Sequence, residues 1–331
     1  MATHYLQWHI IHSCNLKCIH CYQDDYNEKM SLSNMIKVLD KYEHYLQLYG
    51  YEGQINLTGG EPLLHPDFFT VSNNIVSKGI RLGILTNGTL INDDIATKIA
   101  KLNPVFVQIS LDGTAEIHDR IRGGGQFEKA LKGIDALKNH GVKVLVSFTA
   151  MKENYLSFHE LAKICKEHFV DKLWWDRVVT DDNTIYLTTK EFETLSKQAD
   201  KLKAKYKFIS NNRALQGLPS NTCSYTCSAG KRLLIILANG DMMPCRRLPF
   251  TIGNIFDERE LEELIRINPI MNNLSLPIIP HECSSCKFAP SCRGGAKCVT
   301  YAQTGKLGIR DVNCYKNKSL LKNITKRSKS N

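Results

Sequence analysis

The chain has 331 residues, 43% of them hydrophobic and 23% charged, with a formal net charge of +10. That composition describes one large or two medium globular domains and excludes a disordered or fibrous chain. The longest purely apolar run, residues 233–238, is too short to cross a membrane, and the first eight residues lack the basic start and apolar stretch of a signal peptide. A cytoplasmic chain is expected, so the 12 cysteines argue for metal or redox chemistry rather than disulfides. For the same reason Asn56-Leu57-Thr58 carries no meaning as a glycosylation site.

In chain order, residues 5–12 read as an apolar strand running into a cysteine loop. Residues 31–48 have helical spacing (Met35, Val38, Leu39, Tyr42, Tyr45, Leu46), with Ser31 or Ser33 as cap. Residues 54–57 form a strand ending in Thr58-Gly59-Gly60-Glu61-Pro62. A helix over 66–78 leads to a strand over 80–85 that ends at Thr86-Asn87-Gly88. A helix over 92–102 leads to a strand over 105–111 that ends at Asp112-Gly113. Helices over 127–139 and 155–168 and strands over 142–149 and 172–179 complete six β-then-α steps, without a clear helix after the last strand. Such repeats give a parallel sheet with outer helices and place chemistry at the C-terminal strand ends. Periodicity leaves a doubly wound sheet open as well. Residues 188–206 read as a charged helix that bridges to the cysteine-rich part.

The loop Cys14-Asn15-Leu16-Lys17-Cys18-Ile19-His20-Cys21 holds three thiols in Cys-x3-Cys-x2-Cys spacing, followed by Tyr22. Three thiolates suit three corners of a [4Fe–4S] cube and leave the fourth iron open for chemistry. The alternative is zinc, with His20 or a distant histidine as fourth ligand. Cys165, inside an amphipathic helix, reads as a small core residue. The other eight cysteines lie between positions 223 and 314, two sets of four. Asn239-Gly240, flanked by residues 233–238 and 241–243, signals a hairpin that folds Cys245 back towards Cys227.

The first loop with its aromatic residue resembles the signature of the radical S-adenosylmethionine (radical SAM) enzymes. Gly240-x4-Cys245, Cys283-x2-Cys286-x5-Cys292 and Cys314 resemble the SPASM extension of that superfamily. The resemblance spans about Tyr5 to Tyr315. It implies an α/β fold: a partial (β/α)6 TIM-like barrel with a C-terminal cysteine-rich iron–sulfur domain. The expected division is 1–187 barrel, 188–222 bridge, 223–315 auxiliary-cluster domain and 316–331 basic tail. By analogy Cys14, Cys18 and Cys21 hold the SAM-binding cluster. Cys283, Cys286, Cys292 and Cys314 hold one auxiliary [4Fe–4S] cluster, and Cys223, Cys227, Cys245 and Cys298 the other. Cys298 follows Cys292 after five residues where the family has three, so either Gly294-Gly295 lets the loop reach or that cluster keeps an open iron. Eleven thiolates against three cores of charge +2 would lower the net charge from +10 to roughly +5, which weakens nucleic-acid binding as an inference. Part of the remainder sits in the tail from Lys316 to Lys329.

For S-adenosylmethionine the resemblance implies Tyr22 near the adenine, Gly59, Gly60 and Glu61 beside the methionine ammonium, and Asn87 along the ribose. Ser110 is expected against the methionine part, with Arg122 paired to its carboxylate. In Trp174-Trp175-Asp176-Arg177 the tryptophans read as core or rim, while Asp176 and Arg177 are candidates for a catalytic role in the cavity. No Ser-His-Asp pattern, P-loop or dinucleotide fingerprint is present.

The implied reaction is one-electron. A reduced cluster cleaves SAM to methionine and a 5′-deoxyadenosyl radical, which removes a hydrogen atom from the substrate. The favoured reading is a maturase of a ribosomally made peptide that forms a thioether, with a flavodoxin or ferredoxin as electron donor. Only 13 residues precede Cys14, so leader recognition is expected from a separate leader-binding protein or from the basic stretch Lys201-Leu202-Lys203-Ala204-Lys205. A sulfatase-type maturase is a second reading, opposed by Arg246 where that branch has an acidic residue. A tetrapyrrole-modifying enzyme is a third, and a zinc- or RNA-binding protein the non-enzymatic contrast.

Overall fold

The computed structural model describes residues 1–23, 27–211, 215–216 and 227–315. Strands and helices alternate from the start. They run β1 (Thr3–Ile11), α1 (Leu32–Tyr49), β2 (Glu52–Gly59), α2 (Phe68–Ser77), β3 (Arg81–Thr86), α3 (Asp93–Lys101) and β4 (Phe106–Ser110). Then come α4 (Ala115–Arg122), α5 (Gln126–Asn139), β5 (Val144–Ala150), α6 (Phe158–Glu167), β6 (Lys172–Arg177), α7 (Thr189–Lys205) and β7 (Ile209–Ser210). β1 to β7 pair in parallel and in chain order. On the far side of β1 the same sheet continues with β8 (Leu233–Ile236), parallel to β1, then β9 (Asp241–Met243) and β10 (Gly253–Asn254), both antiparallel. α8 (Leu261–Arg266), α9 (Pro269–Ser275), α10 (Ala289–Cys292) and α11 (Lys297–Thr304) follow. The expected α/β partial barrel is present, open between β7 and β10.

The elements form where local chemistry directs. Ser31 caps α1 by accepting the Asn34 N–H, and the six apolar residues spaced for a helix are the six that α1 buries. β8 and β9 meet as the Asn239-Gly240 hairpin requires, with Gly240 at φ +90°. Cys165 is 1% exposed in the core. Three barrel elements differ from the sequence reading, among them β7, whose two residues are too few for an alternation to show. α4 was not expected. Its eight residues carry only His118, Ile121 and Arg122 inward, too few apolar positions for a periodic signal. The segment read as a bridge is the sixth barrel helix: α7 carries a Thr188–Glu191 capping box and buries Phe192, Leu195, Ala199 and Leu202. Its charged outer face masked that stripe.

Alternation along each strand makes two faces. Leu6, Trp8, Ile55, Leu57, Leu82, Ile84, Val107, Ile109, Val146, Phe148, Leu173 and Trp175 are buried beneath the helices. The opposite, half-buried face carries Gln7, Asn56, Gln108, Ser110, Ser147, Thr149, Trp174 and Asp176. Register places Gln7 beside Asn56, Ser147 between Ser110 and Trp174, and Thr149 beside Asp176. The half-barrel therefore encloses a cleft lined by amides and hydroxyls together with Leu85, Leu145, Trp174 and Asp176. No helix among the described residues is long and apolar enough to cross a membrane.

Candidate active site

The cysteine loop leaves β1 at the C-terminal edge of the sheet. Cys14 and Cys18 are half-buried and Cys21 exposed. Cys14 lies within electrostatic reach of both others, and burial first, then Glu61 and the neighbouring thiols, push it up to about 11. Crowded thiols in a poorly hydrated loop are a donor set that a positively charged metal core stabilises as thiolates. Backbone N–H groups already point at them: Leu16 N donates to Cys14 Sγ and Gln23 N to Cys21 Sγ, both at 3.4 Å.

The Gly-Gly-Glu-Pro segment sits against this loop. A Cβ at Gly60 would lie 2.2 Å from Ser13 O and 2.3 Å from His12 O; one at Gly59 would lie 2.1 Å from Ile11 O. The backbone that approaches is the chain's own. Gly60 N donates to Ile11 O at 2.8 Å and Glu61 N to Ser13 O at 2.9 Å, so the end of β2 fastens the root of the cysteine loop. The Glu61 carboxylate is fully buried and accepts from Thr86 Oγ1 at 2.7 Å, Asn87 N at 2.8 Å and Leu63 N at 3.3 Å. It clamps the ends of β2 and β3 together. Asn87 then reaches the loop, its Nδ2 donating to Asn15 Oδ1 at 2.9 Å beside Cys14 Sγ.

Arg122 reaches the loop from the end of α4. Its Nε donates to Asp112 Oδ2 at 2.7 Å, and its Nη1 donates to Cys18 Sγ at 3.6 Å. Both side chains are buried. Burial pushes Asp112 up, but Arg122, His20, the Thr149 N–H and His118 together outweigh it and hold the carboxyl below its usual range. His20 shares this corner, 3.8 Å from Asp112. Asp112, which ended a strand in the sequence reading without a role, anchors the arginine that touches the loop. Ser110 lies half-buried at the end of β4, level with Ser147 on the cleft face.

The later cysteines fall into two groups. Cys283, Cys286, Cys292 and Cys314 line one cavity. Cys227, Cys245 and Cys298 pack together around Ala229, Leu248 and Leu274, and each of Cys227 and Cys298 acts electrostatically on Cys245. Cys298 reaches that group because the chain turns sharply at Gly294 and Gly295, with φ of +86° and +95°. Cys223 lies outside the described residues, as does the tail from Lys316.

Asp176 and Arg177 are both engaged. Arg177 is 4% exposed and donates twice to Asp311, at 2.8 and 2.7 Å, and once to Asn313 Oδ1 at 2.8 Å. Asp176 pairs with Arg247, whose Nη2 donates to Arg177 O at 2.5 Å. Trp175 is core, between Phe158 and Phe192, whereas Trp174 faces the cleft. Tyr22 and Arg246, each directly after a cysteine, stack with the guanidinium 4.4 Å from the ring centre. That contact joins the first cysteine loop to the Cys245 turn.

Comparison with known proteins follows this division. Residues 8–165 match the sequence model of the Radical SAM superfamily, and residues 227–287 that of SPASM, an iron–sulfur cluster-binding domain. The mycofactocin maturase MftC of Mycobacterium tuberculosis is 27% identical over 340 residues, covering 93% of this chain and 82% of that protein. The AdoMet-dependent heme synthase of Oleidesulfovibrio alaskensis is 25% identical over 337 residues, covering 92% and 85%. Among solved structures, anSMEcpe with bound AdoMet and the Cp18Cys peptide has the same fold. Its TM-score is 0.77 at 20% identity, over 98% of this chain and 97% of that one.

Proposed function

The chain belongs to the radical SAM superfamily and carries a SPASM iron–sulfur domain, and from that premise we propose that it is a peptide maturase which joins a cysteine sulfur to a carbon of a ribosomally made peptide. It is an enzyme of iron–sulfur clusters and S-adenosylmethionine. In this reading Cys14, Cys18 and Cys21 hold the cluster that binds SAM. Cys283, Cys286, Cys292 and Cys314 hold one auxiliary cluster, and Cys227, Cys245, Cys298 and Cys223 another. When bound and reduced, the cluster with SAM supplies a 5′-deoxyadenosyl radical that removes a hydrogen atom from an unactivated carbon.

The observation that carries the peptide reading is the cleft. Its half-buried strand positions carry amides and hydroxyls (Gln7, Asn56, Gln108, Ser110, Ser147, Thr149) beside apolar Leu85, Leu145 and Trp174, with one carboxylate, Asp176, and no lysine or arginine. Amides and hydroxyls both donate and accept, which suits the alternating N–H and C=O groups of a peptide backbone. A tetrapyrrole with several carboxylates would call for cations there. The mycofactocin maturase likeness supports the same reading. In the proposed mechanism the chain's own residues position: Arg122 and Asp112 fix the loop around Cys18, and Asn87 fixes Asn15 beside Cys14. Expected partners are the precursor peptide and a flavodoxin- or ferredoxin-type reductant.

The test is anaerobic turnover of the reconstituted protein with SAM, dithionite and a cysteine-containing precursor peptide. The expected result is 5′-deoxyadenosine together with a peptide lighter by two hydrogens whose cysteine no longer alkylates. Turnover of an iron porphyrin instead, or formylglycine as the product, overturns the thioether reading.

A further inference from the structure

Across Gly294 from the four-cysteine cavity lies a second concavity, of about 240 Å³, between α9, α11 and residues 306–309. Arg293, Lys297 and Lys306 line it. Among the described residues none of the three enters a salt bridge; Lys297 Nζ donates to the Leu274 carbonyl at 3.2 Å. Thr300 also lines the pocket. It is 2% exposed, and its hydroxyl has no hydrogen-bond partner among the described residues. The rim is apolar, with Ile278 42% and Leu307 37% exposed.

These features specify an occupant. Three cations with no carboxylate beside them leave a positive hollow that an anion neutralises. A buried hydroxyl without a partner is unfavourable, so an acceptor arriving there recovers a hydrogen bond. The hollow is smaller than the roughly 300 Å³ at which small-molecule pockets begin, a size for one or two side chains of a larger partner. The exposed isoleucine and leucine at its edge call for apolar neighbours on that partner.

We propose that this pocket docks an acidic, apolar segment of the peptide substrate, a proposal that rests on the peptide reading above. It replaces Lys201, Lys203 and Lys205 as the recognition element. Those lysines are exposed on the last turns of α7, where cations offset the helix dipole, and Lys205 lies over the Tyr206 ring at 5.2 Å.

The experiment measures fluorescence anisotropy of a labelled synthetic peptide of alternating glutamate and leucine on the reconstituted full chain. Binding is expected to weaken about tenfold or more in Arg293→Gln/Lys297→Gln and severalfold in Thr300→Val, and to weaken with salt. Iron content and far-ultraviolet circular dichroism are expected to match the parent protein, and the glutamine–leucine peptide is expected not to bind. Equal binding by the double variant, equal binding of the glutamine peptide, or loss only in Lys201→Gln/Lys203→Gln/Lys205→Gln overturns the proposal. So does a double variant that binds peptide normally but is reduced more slowly by an acidic electron-transfer protein. Peptide that binds here but is never modified leaves the pocket standing and sinks the maturase reading; unchanged turnover of a modified peptide by the double variant does the reverse.

Discussion

Arg177 and Asp311 form a two-bonded ion pair, at 2.8 and 2.7 Å, that joins the last residue of β6 to the turn before Cys314. Asp311 also accepts from Ala296 N at 2.7 Å and Asn313 N at 2.9 Å. One carboxylate thus holds the barrel, the start of α11 and the final cysteine turn in a single arrangement. Arg177, a catalytic candidate by sequence, is occupied as a latch.

Asp311→Asn is therefore expected to destabilise the fold by about 3 kcal/mol or more, because it leaves a buried guanidinium without its counter-charge. Thermal unfolding followed by circular dichroism measures it. Iron counting is expected to show loss confined to the auxiliary sites, and full retention of both stability and iron would remove the latch role.

Gly60→Ala places a methyl group where Ser13 O and His12 O lie 2.2 and 2.3 Å away. The contacts are backbone, so the loop itself must move. Reconstituted Gly60→Ala is expected to bind about four fewer irons per chain than the parent, the content of one cluster. An unchanged iron count would show that the loop tolerates the shift.

Burial pushes Glu61 up to about 7 against the pull of its hydrogen bonds from Asn87, Thr86 and Leu63. The folded state therefore holds a proton that the unfolded chain, with an ordinary value of 4.5, has released. This group's contribution to stability falls as pH rises from 4.5 to about 7 and is level above. The difference in unfolding free energy between parent and Glu61→Gln is expected to change over that window. Glu61→Gln is also expected to lose about 1–3 kcal/mol above it, because an amide cannot accept from all three donors. A pH-independent difference across the window would count against a raised Glu61.

His4 and His118 titrate with the opposite sign. Each is buried and drawn down to about 4 by desolvation, with Arg232 adding to the effect at His4 and Arg122 at His118. Unfolded histidines take up protons below 6.5, so stability is expected to fall as pH drops from 6.5 towards 4. His4→Gln is expected to flatten that fall in chemical-denaturation curves, and an unchanged slope would place the titration elsewhere.

Arg122 brings an N–H and a positive charge to Cys18 Sγ at 3.6 Å. Hydrogen bonds and positive charge near cluster sulfurs favour the reduced state. Arg122→Met is expected to make the midpoint potential of the first cluster more negative, read by a redox titration followed by electron paramagnetic resonance. A potential equal to the parent's would confine Arg122 to packing.

Much of this molecule was legible because its signals are local. The Cys14–Cys21 spacing, the Asn239-Gly240 turn, the six-residue stripe of α1 and the strand endings are short-range patterns, and the structure keeps each of them. What the sequence could not assign were partners distant in the chain. Nothing in the spacing around Arg122 shows that Asp112 and Cys18 lie beside it. Nor does the Trp-Trp-Asp-Arg stretch show that Asp311, 134 positions later, takes two of the hydrogen bonds that Arg177 donates. The glycines of Gly59-Gly60 announce a close approach but not what approaches. Residue type and spacing determine which groups donate, accept or turn. Only the packing of β1 against both β2 and β8 decides which of those groups meet, because hydrogen bonds and charge pairs depend on angstrom-scale separations that no linear pattern encodes.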